Sequence, residues 1–346
     1  MNKLALSLLV IATLAGAPRA ADAQVYPERI RTDARNHRAD AYQRRNNDAR
    51  EEQVERYTKT VKLGATGELD VANVSGDITV TRGSGSDATV EVIKTARARS
   101  ADEAKSQLQL VQVDIAERAG RVEIRARYPS GEGMVSNRRN VNVSVSYNIT
   151  APGNTRLTAK SVSGNIKVTD IKGDVSAESV SGNVQIGGSG RVGLAKSVSG
   201  NVEIADTQID GTLEAGSISG DVVMRKVAAR RIDTSTISGT VRMEDMQCDR
   251  IDAQSISGPV AFSGALARGG RYALKSHSGE VTVTISGGTG FEVDASSFSG
   301  QVRSDLPITT RGMDTRRQRT LSGTYGDGSA ILELTSFSGN VVIAKR

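Results

Sequence analysis

Tryptophan is absent from this 346-residue sequence, phenylalanine occurs four times, and aromatic residues make up only 3%. That shortage excludes a core built on large rings, so the interior must be filled by Val, Ile, Leu and Ala. Cys248 is the only cysteine, which rules out an internal disulfide and a cysteine-based metal centre; it reads as a small core residue. Histidine is as scarce: His37 and His277 lie far apart and offer no metal-ligand spacing. There are 6 prolines against 36 glycines. Few prolines, many glycines and abundant Val, Ile, Thr and Ser point to many short strands joined by tight turns. Charge of one sign is missing too, because 45 basic residues intermingle with 39 acidic ones to leave +6. A concentrated basic stripe for nucleic acid is therefore not indicated, and the mild excess suits an anionic surface such as a polysaccharide or a membrane. No phosphate loop and no nucleophile elbow occur, and no cofactor is expected.

The first residues read as an export signal. Lys3 supplies the positive start, Leu4 to Ala17 is an apolar run too short to span a bilayer comfortably, and Ala21-Asp22-Ala23 gives small-x-small cleavage spacing. Cleavage after Ala23 would start the mature chain at Gln24, at the cell envelope or beyond: periplasm, cell surface or medium. No other stretch is apolar enough to cross a membrane, so none is expected after cleavage. Residues 24–56 are charge-dense, with too few apolar residues for a core-facing stripe, and read as a polar linker.

From residue 64 the pattern changes and a repeat dominates. Its box is Ser-(Val/Ile)-Ser-Gly-x-(Val/Ile), first clear at Ser161–Ile166 and recurring with glycines at 182, 200, 220, 239, 258, 279, 300 and 339. A degenerate copy, Thr320-Leu321-Ser322-Gly323, sits in the last, doubled gap, and an earlier copy runs Asn73–Ile78. Two residues after the glycine stand Ile166, Val184, Val202, Val222, Val241, Val260, Val281, Val302 and Val341. Four after it come Val168, Ile186, Ile204, Met224, Met243, Phe262, Val283 and Ile343; seven before it stand mostly Leu, Val and Ile, and five before it mostly Ala. Alternation by two on both sides of the glycine means two half-buried strands per repeat. The glycine marks the bend between them, where a positive φ is one reason for its choice. One repeat cannot bury its apolar face, but stacked repeats can, each strand pairing with its equivalent on the next rung. The expected fold is all-β: a parallel β-solenoid of about ten or eleven rungs, roughly 50 Å long at the usual strand spacing.

Ser or Thr stands three before every clear glycine from Ser161 on, and Ser one before it. A hydroxyl repeated on every rung with no base beside it is a structural ladder that bonds to turn backbone, not a set of nucleophiles. Residues 83–150 interrupt the repeat. A helix is predicted over Ser100–Leu110 with a Ser100/Glu103 capping box, among strands at 88–95, 111–116, 121–128 and 141–149. This small α+β excursion is expected to cover the N-terminal end of the solenoid, where an open edge would invite pairing with other chains. The organisation is then signal 1–23, linker 24–56, first repeat plus excursion 57–150, and solenoid 151–346.

The run Leu69–Ile78, the Tyr147–Pro152 lead-in and the repeated Ser-Val-Ser-Gly boxes resemble the bacterial toast-rack β-strand repeat family, whose members carry an adhesin label. The resemblance covers about residues 57–346. It implies a β-strand repeat fold and an adhesin-like envelope role, and it brings no catalytic residues.

Two functional classes follow. The first is a non-catalytic module that binds or scaffolds at the envelope, its partner an envelope protein or an anionic surface polysaccharide, with self-association as a further option. The second is a polysaccharide lyase or hydrolase. Its best case is Asp233 and Asp252, equivalent positions on adjacent repeats, with Arg231 and Arg250 two residues before each. Stacked carboxylates can raise one pKa and make a general acid, but a repeated Arg-Ile-Asp also reads as an alternating surface ladder. The column two before the glycine is Val162, Val180, Val198, Ile218, Ile237, Ile256, His277, Phe298 and Phe337. Strict alternation turns it outward as an apolar ribbon, whereas a bend just before the glycine would turn it into the core. An outward ribbon marks Phe298 and Phe337 as candidate interaction residues, with Arg311, Arg316, Arg317 and Arg319 as a candidate anion-attracting rim.

Overall fold

A computed structural model describes residues 50–129, 141–312 and 319–346. The expected signal, the linker up to residue 49, His37, Arg316 and Arg317 lie outside the described residues, as does the Arg311 side chain. Strands make up 68% of the structure, and among the described residues there is one helix, Ala101–Leu110.

The strands join in one mixed sheet. Arg156–Ser163, Asp174–Ser179, Arg191–Ser197 and the later parts of Val202–Ser217, Val222–Thr236, Val241–Ser255 and Val260–Ser276 pair in parallel, in that order. A second parallel ladder runs through Ile166–Thr169, Val184–Gly187 and the earlier parts of the same long strands. Register puts like on like: Ile166 beside Val184, Val202, Val222, Val241 and Val260. These residues are fully buried, and burial of each such side chain contributes about 1.5–3 kcal/mol.

The corner glycines are required by close approach, not by a positive φ. Of the repeat glycines only Gly76 has φ > 0. A Cβ on Gly182, Gly200, Gly220, Gly239 or Gly258 would instead sit 2.0–2.3 Å from the carbonyl oxygen of the preceding rung's glycine. The buried hydroxyl three residues earlier stitches that contact. Ser197 Oγ donates to Gly182 O at 2.8 Å and accepts from Gly200 N at 3.0 Å, and Ser255 and Ser276 repeat the arrangement. At the first such corner the arrangement differs: Asn73 Nδ2 donates to the Gly76 carbonyl, and Ser161 Oγ lacks a partner.

A second corner follows six residues after the glycine. Asp170, Asp206, Lys226 and Asp245 all have φ of 51–60°, and Gly188 occupies the same position at 61°. Beyond it the long strands run a third stretch that adds Ile209, Val227, Ala229, Met246, Cys248 and Leu266 to the core. Cys248 is buried there as expected, and its carbonyl accepts from the Tyr272 hydroxyl at 2.7 Å.

At the N-terminal end the excursion does cover the ladders. Arg121–Arg127 pairs in parallel with Glu68–Ser75, and Val143–Pro152 with Ile78–Gly83. Asp87–Ala98 then lies antiparallel on Val143–Pro152. The helix is capped as predicted, Ser100 Oγ accepting from Glu103 N at 3.3 Å. Glu51–Lys62 is a strand antiparallel to Asp87–Ala98, so regular structure begins inside the stretch read as linker. Its faces are almost wholly exposed, which is why it has no apolar alternation.

At the C-terminal end sequential stacking fails. Val260–Ser276 pairs not with Phe291–Ser297 but with Ala330–Ser336, which in turn pairs with Phe291–Ser297. The last repeat in sequence is therefore inserted between the two before it. Thr320–Gly323 is no rung corner: it belongs to Thr320–Tyr325, an antiparallel strand lying between Phe291–Ser297 and Thr309–Gly312. The sheet is thus mixed, parallel where the repeat holds and antiparallel at both ends.

Candidate interaction surface

The column two before each glycine faces outward. Val74, Val162, Val180, Val198, Ile218, Ile237, Ile256, Phe337 and Phe298 are 39–64% exposed, and His277 is exposed with them. Backbone bonds across the corners fix their order. Ser181 N donates to Val162 O, Ser199 N to Val180 O, Ser219 N to Val198 O and Ser238 N to Ile218 O, each at 2.8–2.9 Å. Ser257 N to Ile237 O, Ser278 N to Ile256 O, Ser338 N to His277 O and Ser299 N to Phe337 O continue the series at 2.8–2.9 Å. Because Phe337 lies between His277 and Phe298, the column runs in space from Val through Ile to His and Phe. The His277 and Phe337 rings stack at 4.8 Å and 7°, and those of Phe337 and Phe298 at 4.7 Å and 5°.

Beside the ribbon runs a shallow groove. One stretch of about 600 Å³ has Val162, Val180, Val198 and Ile218 along one side and Lys160, Glu178 and Lys196 along the other. The next, about 530 Å³, continues past Ile237, Ile256, His277 and Phe337, faced by Ser235, Gln254 and Lys275. Ser217, Ile218 and Ser235 line both, so the groove is continuous. Buried serine hydroxyls form its floor: those of Ser179, Ser197, Ser217, Ser255 and Ser276 are engaged with glycine carbonyls, and only that of Ser161 among them is unpaired. Lys160 pairs with Glu178 at 3.0 Å, and Lys196 pairs with Glu214.

The structure brings Phe298 and Phe337 together. Arg319 is backbone-close to them, its carbonyl accepting from Ser297 N at 2.8 Å. Arg311 lies in Thr309–Gly312, the outer strand of the hairpin that follows. On the far side of the glycine, sequence reading missed a polar ladder. Asn183 N donates to Asn165 Oδ1, Asn201 N to Asn183 Oδ1, Asp221 N to Asn201 Oδ1 and Thr240 N to Asp221 Oδ1, at 2.7–2.9 Å. The recurring Asn or Asp just after the glycine was its signal.

The acid pair weighed for catalysis is held in a repeating ladder. Asp233 and Asp252 are register partners, as are Arg231 and Arg250. Arg231 Nε donates to both Asp233 oxygens at 2.9 and 2.8 Å, and that carboxylate raises the guanidinium pKa. Asp252 accepts from Gln254 at 3.0 Å. Among the described residues no three His, Cys, Asp or Glu side chains converge on a metal-sized site, and no helix is long and apolar enough to cross a membrane. Burial pushes the Cys248 thiol up to about 12, far from the range of a reactive thiolate.

A family model described as Toastrack DUF4097 matches residues 68–344. No curated protein sequence matches the chain. Similar solved structures include a "putative adhesin" from Parabacteroides merdae, 10% identical, TM-score 0.45, covering 84% of this chain and 96% of its own. Another is a "putative adhesin" from Bacteroides fragilis, 12% identical, TM-score 0.40, covering 84% and 97%. A third is a "putative lipid binding protein" from Parabacteroides distasonis, 13% identical, TM-score 0.43, covering 83% and 96%.

Proposed function

The chain belongs to the Toastrack family, and on that footing we propose that it is an exported, adhesin-like parallel β-solenoid of about ten or eleven rungs that binds or scaffolds at the cell envelope without catalysis. The observation that carries this reading is the continuous outward ribbon from Val74 to Phe298. A monomeric soluble protein rarely leaves a contiguous apolar strip of this kind uncovered, and such strips mark interaction sites. Phe298 and Phe337 are the anchors, since stacked exposed rings offer the most apolar area per residue. Arg311, Arg316, Arg317 and Arg319 stand close together in the sequence and are the proposed cationic rim, with an envelope protein or an anionic surface polysaccharide as the partner class.

The test is the Phe298→Ser/Phe337→Ser variant, compared with the parent by thermal melting and by co-sedimentation with an isolated envelope fraction. An unchanged melting temperature with weakened co-sedimentation supports the reading. A large fall in melting temperature with unchanged co-sedimentation refutes it.

A further inference from the structure

Resting on the reading of the ribbon as a contact surface, we infer that its partner is a second copy of this chain, docked antiparallel, ribbon against ribbon. Three observations point there.

The first is size. In spatial order the ribbon is Val74, Val162, Val180, Val198, Ile218, Ile237, Ile256, His277, Phe337, Phe298. Turned end for end against itself, it sets Val74 opposite Phe298, Val162 opposite Phe337, Val180 opposite His277, Val198 opposite Ile256 and Ile218 opposite Ile237. Three pairings then join small with large, and the two nearest the centre join Val or Ile with Ile, so the separation of the two rods varies little along the contact. A parallel dimer sets Phe on Phe and Val on Val, which leaves a wedge-shaped gap at the valine end, and voids forfeit contact energy.

The second is charge. A two-fold axis lying in the interface, across the rods, keeps each flank of the ribbon facing its own kind. The flank four before the glycine reads Lys160, Glu178, Lys196, Gly216, Ser235, Gln254, Lys275, Thr335 in spatial order. Reversal puts Glu178, its one carboxylate, opposite Lys275, while Lys160 meets Thr335 and Lys196 meets Gln254. On the other flank Asp77, Asp221 and Glu280 fall opposite Gln301, Thr240 and Asn183. No two like charges meet on either side, as an isologous contact requires of a self-complementary surface.

The third is area. At 39–64% exposure, the Val, Ile and Phe side chains of the ribbon offer on the order of 800 Å² per copy, about one partner's share of a standard-sized interface.

Cross-linking tests the register directly. In the antiparallel dimer Val180 lies opposite His277, while the two copies of Val180 stand five rungs, about 24 Å, apart, well beyond disulfide reach. The full chain is prepared as Val180→Cys, as His277→Cys and as the double variant, with Cys248 buried and silent, then mildly oxidised. The expected result is a sedimenting dimer that becomes covalent in the double variant and in an equal mixture of the singles, with the covalent form lost when either single is oxidised alone. Cross-linking of Val180→Cys with itself overturns the arrangement in favour of a parallel one, and a dimer with no cross-link in any sample overturns the register. A parent that sediments as a monomer at micromolar concentration overturns the second copy as partner. If that monomer still needs Phe298 and Phe337 for envelope co-sedimentation, the ribbon remains a contact surface for another molecule, so the two failures are told apart.

Discussion

Replacing Gly239 by alanine tests why this repeat ends each box in glycine. A Cβ at Gly239 would lie 2.2 Å from the Gly220 carbonyl oxygen and 2.6 Å from its carbon, whereas ordinary contact begins at 3.4 Å, so the rungs must part by about 1.2 Å at the corner. The corner has no slack, because Ser238 N is bonded to Ile218 O at 2.9 Å and Val222 N to Thr240 O at 2.8 Å. Opening it removes the bond from Thr236 Oγ1 to Gly220 O, at 2.9 Å, and that from Thr240 N to Asp221 Oδ1, at 2.7 Å. Two hydrogen bonds at about 1 kcal/mol each, plus about 1–3 kcal/mol of overpacking strain, give a loss of roughly 3–5 kcal/mol. For a chain of this size that lowers the melting temperature by on the order of 6–10 °C, read by circular dichroism. Gly193→Ala is the control: a Cβ there meets nothing within 4 Å and its φ is not positive, so stability stays within about 0.5 kcal/mol of the parent or rises slightly. Gly239→Asn separates the two explanations of the glycine. A left-handed requirement tolerates Asn, and close approach does not. If Gly239→Ala melts with the parent, or if Asn restores what Ala loses, the stacking argument is wrong.

Two further perturbations follow from the same geometry. Lys226 holds φ at 51° and its ion pair with Asp206 is long and exposed, so Lys226→Gly is expected to raise stability by about 0.5–1 kcal/mol, through relief of left-handed strain; a lower denaturant midpoint would contradict this. Burial pushes both the Cys248 thiol and the Tyr272 phenol up to about 12. Their folded values lie above the unfolded ones, so their contribution is complete below about pH 9 and is lost as pH rises toward 12. Cys248→Ala should flatten the alkaline fall in stability, and a thiol reagent should leave the native parent unmodified at neutral pH; rapid native labelling would place Cys248 outside the core.

The columns that face the core were legible because burial repeats with the rung. Val202, Val222 and Val241 could occupy that column only by stacking, and the Ser100 cap announced the helix in the same local way. The direction of the Val162–Phe337 column was not legible, since alternation continues through a corner only if the backbone bends after the glycine's neighbour rather than before it. The reason for the glycines was misjudged because a single sequence holds no distance: close approach comes from the next rung, not from the glycine's own φ. The second corner carried a signal that was missed, Asp170, Gly188, Asp206 and Asp245 six residues after the glycine, since Asp and Gly tolerate left-handed backbone; Lys226 is the one interruption in that run. The insertion of Ala330–Ser336 between Val260–Ser276 and Phe291–Ser297 was beyond the repeat pattern, because the boxes on all three carry the same apolar columns and fit any neighbour in the ladder. The gradient of the ribbon from Val through Ile to Phe stands in the sequence itself; what the structure adds is the order at its end, with Phe337 next to His277 and Phe298 last.

The corner ribbon is the proposed contact surface of this protein. Hydroxyl-radical footprinting of the parent chain, free and bound to its envelope partner or to its second copy, measures that directly. Phe298, Phe337, His277, Ile256 and Ile237 are expected to lose reactivity together on binding, while Met243 and Met246, already buried, do not change. Unaltered reactivity along the ribbon, with protection appearing instead around Arg230 and Asp249, which line a separate surface with Gln208 and Gln247, would place the contact elsewhere.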